Sequence, residues 1–156
     1  MLLSIDKLKP RQLGVSVKGG AEALAHGARR FLDNMPADHL FIKLDFSNAF
    51  NTLRRDSMRE AVEQQIPGLL GYFDYAYGQN THLQYGDFTI ESAEGIQPGD
   101  PLGPLLFCLA IHPLLSDIHS NFVSGYLDDI ALGGEPQMQF LTSKDWSSPL
   151  RLSASH

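Results

Sequence analysis

From Gly19 to Gly134 the chain falls into short stretches whose apolar spacing switches between helical and alternating. "KGGAEALAHGARRFL" sets Ala21, Leu24, Ala25, Ala28 and Leu32 at helical intervals behind the Gly19-Gly20 pair, which predicts a helix. "HLFIKLDF" is short, apolar and β-prone, a strand ending at Asp45 or Phe46. "LRRDSMREAVEQQI" reads as an amphipathic helix stopped by Pro67-Gly68, and "PGLLGYFDYAYG" as a second, shorter one. "THLQYGDFTIES" alternates on both sides of Gly86-Asp87, a dipeptide that signals a hairpin turn. "EGIQPGDPLGP" is a Gly/Pro loop delivering the helix "LLFCLAIHPLLSDIHS", with Pro104 near its first turn. "NFVSGYL" and "IALGG" then form two strands around Asp128-Asp129. The order αβααββαββ predicts an α+β fold, an antiparallel sheet covered by helices on one face.

Past Gly134 neither period persists, and the Ser-rich, twice-proline segment is expected to be a poorly ordered tail. The expected division is therefore a domain over 1–135 and a separate tail over 136–156. A chain of 156 residues with 43% apolar positions is sized for one domain with a substantial core. The longest apolar run, Pro101 to Leu115, is short for a bilayer and interrupted, and no signal peptide is evident at the start. With Cys108 the single cysteine, an intramolecular disulfide and a cysteine-based zinc cluster are excluded, and an intracellular setting is expected. The net charge of −6 argues against a stand-alone nucleic-acid binder, which gains most of its affinity from Lys and Arg against phosphate.

Candidate chemistry centres on "SGYLDDIALGG", where two adjacent aspartates interrupt an apolar run. Burying like charges side by side is costly, and neighbours on a strand point to opposite faces. Asp128 and Asp129 share a site only at a hairpin tip, where Asp-Asp is also an ordinary solvated turn. A third acid, Asp45, ends the most apolar strand of the N-terminal half, where its bland role is capping. If the two strands are neighbours, Asp45 and Asp128 meet at one end of the sheet. Carboxylates gathered there call for a divalent cation, and Mg²⁺ takes one or two of them together with substrate phosphates.

"IKLDFSNAFNTLRRD", "GIQPGDPLGPLLFCLAI" and "GYLDDIALGG" resemble, in that order, motifs A, B and C of reverse transcriptases. Their spacing and flanking words are closest to non-LTR retrotransposons, and the resemblance runs from about Leu13 to Gly134. It implies the palm of an RNA-directed DNA polymerase, with RNA template, DNA primer and dNTPs as partners and two Mg²⁺ ions, or Mn²⁺, as cofactor. By position, it makes Asp45, Asp128 and Asp129 the catalytic, metal-binding acids, with Asp128 the principal motif C ligand, Asp129 its less directly involved neighbour, and the Phe46 carbonyl adding an oxygen. Tyr126 is placed beneath the primer end, and Phe50 matches an aromatic gate that excludes a ribose 2′-OH. An ordinary core aromatic is the alternative for Phe50. The hairpin at Tyr85-Gly86 and the loop from Gly95 to Pro104 are expected to line the template and nucleotide side.

Motif B departs from the pattern. The Gln that normally precedes its Gly is here Pro98, with Gln97 one residue earlier and Gly99 in place. Proline offers neither the side chain nor an N–H for a nucleotide contact. The family also places basic fingers segments upstream of Leu13 and a thumb after motif C. The resemblance thus implies a truncated palm, and the unrelated tail is what a frameshift, altered splice or pseudogene end would leave. Expected activity of the isolated fragment is low, because fingers and thumb position the substrates. The competing reading is a decayed or repurposed palm that binds a partner or has no function. A third is an unrelated metal-dependent phosphotransferase with coincident acids.

The remaining candidates have plainer readings. His112 and His119, seven apart on the motif B helix, lack a third metal ligand and are expected on the helix surface. Cys108 reads as core, and the pairs Arg29-Arg30 and Arg54-Arg55 as solvated surface. Lys43 faces either the cleft or solvent.

Overall fold

A computed structural model describes residues 5–136. Its elements are α1 (Gly20–Asn34), β1 (Leu40–Leu44), α2 (Ala49–Thr52), α3 (Arg55–Gln65), α4 (Leu70–Tyr77), β2 (Thr81–Tyr85), β3 (Phe88–Ser92), α5 (Gly103–Asp117), β4 (Phe122–Tyr126) and β5 (Asp129–Gly134). Single 3-10 turns at Asp6–Leu8 and Pro67–Leu69 complete the order. The fold is α+β, as the alternation of periods predicts, with one unforeseen helical turn, α2. Beyond Pro136, the expected tail lies outside the described residues.

The main sheet is antiparallel in the order β1-β5-β4, and β2-β3 form a separate hairpin. Register divides the main sheet into two faces. Leu44 opposite Ile130, and Ile42 opposite Leu132, look into the core with Val123. That core is built around α5, where Leu105 to Ile111 are buried without a break, joined by Leu53, Met58 and Val62 from the α2–α3 region. A helix buried around most of its circumference explains why the α5 sequence shows so little amphipathic pattern. Pro113 interrupts its hydrogen-bond ladder by lacking the N–H that would bond Leu109. The Gln65 side chain of α3 fills that gap, donating Nε2–H to the Leu109 carbonyl at 2.9 Å.

The opposite face carries Phe41, Lys43, Ala131, Gly133, Phe122, Ser124 and Tyr126. Here α1 adds a partial cover at the end remote from Asp128. Phe31 packs on Phe122 and Phe41, with ring centroids 5.4 and 6.2 Å apart. It lies directly over Gly133, where a Cβ would come within 2.7 Å of its Cζ. Thus α1 holds the sheet through Phe31, while Ala21, Ala25 and Leu32 of the expected stripe are exposed. Beyond this aromatic cover the face stays open around Lys43 and Asp129.

Candidate active site

Asp45 follows β1 directly, and Asp128 lies in the turn joining β4 to β5. Leu44 pairs with Ile130, so continuing the register brings Asp45 opposite Asp129 at one end of the sheet. Asp45 is exposed, while Asp128 and Asp129 are half-buried. The Asp129 carboxylate accepts an ion-pair contact from Lys43 Nζ at 2.7 Å. Asp129 therefore holds the Lys43 ammonium above its ordinary pKa, and the charges of Asp45 and Asp128 act in the same direction. Lys43 is thus in direct contact with Asp129, and Asp45 and Asp128 act on it only through their charge. Among the described residues, however, no three His, Cys, Asp or Glu side chains are grouped to hold a metal ion. Two carboxylates completed by substrate phosphates remain a chemically sufficient set for Mg²⁺. Asp45 and Asp128 are the pair not engaged by the Lys43 bridge.

The tip differs by one residue from the strands expected around it. Tyr126 pairs with Asp129, so the two-residue turn is Leu127-Asp128, and Asp129 already belongs to β5. Leu127 takes a left-handed backbone, φ +56°. Such a conformation costs a non-glycine residue about 1–3 kcal/mol and persists only where its surroundings impose it. Those surroundings are the segment 11–14, for which sequence periodicity offers no element. Leu13 N–H donates to the Gly125 carbonyl at 2.7 Å, and Gly125 N–H to the Arg11 carbonyl at 2.8 Å. Arg11 in turn donates through its guanidinium to the carbonyls of Leu115 and Ile118 at the end of α5.

The other expected site residues fall in two groups, Phe46 and Phe50 after β1 and the Gln97-Pro98-Gly99 turn before α5. Phe46 is buried in the core. Phe50 is half-buried and stacks on Phe107 of α5, centroids 4.6 Å apart at 13°, and its carbonyl accepts Ile96 N–H at 2.8 Å. Gln97, Pro98 and Gly99 open a β-turn closed by Asp100 N–H to the Gln97 carbonyl at 3.1 Å. Gly99 has φ +84° behind Pro98, the residue pair and dihedral that a type II turn requires. Pro98 thus has a local role in the backbone. The Gln97 side chain is occupied, donating to the Ala76 carbonyl at 2.8 Å.

Three residues that shape this loop were not singled out from the sequence. The Asp100 carboxylate accepts hydrogen bonds from Tyr72, Tyr77 and the Leu102 N–H. Burial and then the Asp100 bond raise the pKa of the Tyr77 phenol. Arg55, expected on the solvated surface, is a correction. Its guanidinium donates to the Ser92 and Gly95 carbonyls at 2.7 and 3.1 Å and lies 5.3 Å above the Tyr77 ring. It ties the β3 end to the motif B loop, whereas Arg54 pairs with Asp56 at the surface. A lone Arg next to another gives no sign of this in sequence, since its partners are carbonyls 37 and 40 residues away.

The hairpin β2–β3 has Gly86 at φ +59° in its turn, as the Gly-Asp signal predicts. Leu83 opposite Ile90 and Tyr85 opposite Phe88 give it an exposed apolar face. Cys108 is fully buried, and burial pushes its thiol up to about 12, a core residue as expected. His119 is exposed but lies past the end of α5, so it shares no helix face with His112. Among the described residues, no helix is long and apolar enough to cross a membrane.

The antiparallel sheet of this α+β fold carries Asp128 at a hairpin tip and Asp45 at the end of the adjoining strand. The chain belongs to the reverse transcriptase (RNA-dependent DNA polymerase) family, whose model matches residues 2–144. No curated protein sequence matches it. Among solved structures it is similar to apo telomerase from Candida tropicalis, truncated from the C-terminal domain, with a TM-score of 0.48 and 12% identity. The match covers 87% of this chain and 33% of that one.

Proposed function

We propose that the chain is the catalytic palm portion of a reverse transcriptase of non-LTR type, occupying residues 1–135. Family membership supports the reaction class. The observation that carries the site is the register, which brings Asp45 at the end of β1 to the same end of the sheet as Asp128 and Asp129 at the β4–β5 tip. In this reading Asp45 and Asp128 hold the divalent cations, and Asp129 is the adjacent acid that keeps Lys43 in place. Two Mg²⁺ ions, or Mn²⁺, held by these acids would supply the charge needed to activate a primer 3′-OH and to neutralise departing pyrophosphate. Tyr126, across from Asp129, supports the primer end, and Phe50 with the Phe46 backbone borders the sugar of the incoming dNTP. The Gln97-Pro98-Gly99 turn, held by Tyr77, Asp100 and Arg55, frames the nucleotide side. Tyr85 and Phe88 offer exposed aromatic faces on which bases of a template strand stack.

The acidic balance of −6 supports weak grip on nucleic acid by this chain alone. Purified chain with RNA template, DNA primer, dNTPs and Mg²⁺ is expected to extend little. Mn²⁺ monitored by water-proton relaxation is expected to bind, and to be lost in both Asp45→Asn and Asp128→Asn. Binding that survives both substitutions would overturn the ligand assignment. Robust synthesis abolished by Asp128→Ala would keep the site and overturn the weak-grip argument. Pro98→Gln in a longer chain carrying fingers and thumb is expected to raise synthesis; no change would mean that Gln97 or another group already serves.

A further inference from the structure

Gln12 has no exposed surface, an unusual state for an amide side chain, and two of its three side-chain hydrogen bonds go to a single turn residue. Its Oε1 accepts the N–H of Leu127 at 2.8 Å and the N–H of Gly14 at 3.0 Å. Its Nε2 donates to the Leu127 carbonyl at 3.0 Å. One side chain thus satisfies both backbone polar groups of the residue immediately before Asp128. Leu127 is also the residue held left-handed, at φ +56°. Gly14 closes the same contact: a Cβ there would lie 2.7 Å from Leu127 N and from its Cδ2. Gln12 is itself anchored, since its N–H donates to the Leu8 carbonyl at 2.9 Å and its neighbours bond Gly125 on β4.

We infer that Gln12 is a positioning residue for the metal-binding tip: it clamps Leu127 in the left-handed turn and so sets the direction in which Asp128 leaves the backbone. The inference rests on the reading of Asp128 as a cation ligand. A leucine does not choose this backbone, whereas glycine adopts it freely. The clamp replaces what a glycine at 127 would supply, and it links the segment before α1 to the acid at the far end of the domain. Gln12 touches no reacting atom in this arrangement and acts only through Leu127.

The full chain carrying Gln12→Met, which keeps the volume and removes the hydrogen bonds, is compared with wild type and with Gln12→Met/Leu127→Gly. Two readouts are needed: amide hydrogen exchange at Leu127 to Ile130, and Mn²⁺ affinity by electron paramagnetic resonance. Gln12→Met is expected to accelerate exchange at the tip while α5 stays protected, and to weaken Mn²⁺ about tenfold, the value of one to two lost hydrogen bonds. The double variant is expected to recover most of the Mn²⁺ affinity without recovering the Leu127 protection. Rescue of this kind does not follow from general destabilisation, so a globally weakened Gln12→Met still leaves the comparison decisive. Unchanged exchange at Leu127 overturns the clamp. Faster exchange with unchanged Mn²⁺ affinity, or failure of Leu127→Gly to rescue, overturns positioning. Wild-type chain that binds no Mn²⁺ while Leu127 is protected overturns the cation reading and the positioning role with it, and leaves Gln12 a structural residue.

Discussion

Lys43 Nζ lies 2.7 Å from Oδ1 of Asp129, a diagonal pair across β1 and β5 on the open face of the sheet. Lys43 is exposed and Asp129, though half-buried as a residue, has an open side chain, so the pair adds little to folding stability. Its consequence is electrostatic. A fixed cation beside Asp45 and Asp128 competes with any divalent ion those acids bind. Lys43→Met is therefore expected to strengthen Mn²⁺ binding a few-fold in low salt, with the gain shrinking as ionic strength rises. Weaker Mn²⁺ binding in Lys43→Met would mean that the lysine orders the acids instead of competing for them.

Gly133 and Phe31 form the contact by which α1 grips the sheet. A methyl group at 133 collides with the Phe31 ring, so Gly133→Ala is expected to destabilise by about 1–3 kcal/mol in urea unfolding. Phe31→Leu in the same chain removes the obstructing ring edge and is expected to recover part of that loss. Additive losses in the double variant would place the fault in the Gly133 backbone.

Arg55 donates to the carbonyls of Ser92, Gly95 and, at 3.5 Å, Glu94, and to the Ser92 hydroxyl, and it lies over the face of Tyr77. Arg55→Ala removes these hydrogen bonds and the contact with the Tyr77 ring, and is expected to cost about 2 kcal/mol. The local signature is faster amide exchange from Ser92 to Gln97, with α5 unchanged. Arg54→Ala, which removes only a surface pair with Asp56, is expected to leave both readings within experimental scatter.

His112 has its Nδ1 buried without a hydrogen-bond partner among the described residues, and its Nε2 lies 3.3 Å from the Ser116 hydroxyl. Burial, and secondarily the Arg11 charge, lower its pKa from the ordinary 6.5. The unfolded chain therefore takes up a proton at higher pH than the folded one. Near pH 7.5 both are neutral and the group is silent. Stability is expected to fall as pH drops below about 6.5 and to level off below the folded pKa. His112→Gln is expected to remove that part of the slope, measured by thermal unfolding at pH 7.5 and 5.5.

Cys108 is expected to resist alkylation by iodoacetamide at pH 8 in the folded chain and to react readily in urea. Its thiol is buried, and desolvation holds it as the protonated, unreactive form up to about 12. Rapid labelling of the folded chain would show that α5 opens locally.

The amino-acid sequence by itself determined the α+β order, the Gly86 turn, the burial of Cys108 and the two segments that carry Asp45 and Asp128. These follow from local causes: apolar period, turn chemistry and the few places where a short strand tolerates a carboxylate. Tertiary structure alone decided the rest. Leu127 reads as a strand residue, and the Gln12 amide, 115 positions away, bonds both its backbone polar groups in the turn. Lys43 was ambiguous between cleft and solvent until register set it diagonal to Asp129. Arg55 read as surface until its carbonyl partners folded around it. In each case the deciding interaction joins residues far apart in the chain, and no local period or propensity records it. The position of the acid at the tip depends on such a contact, although its presence there is written in the sequence.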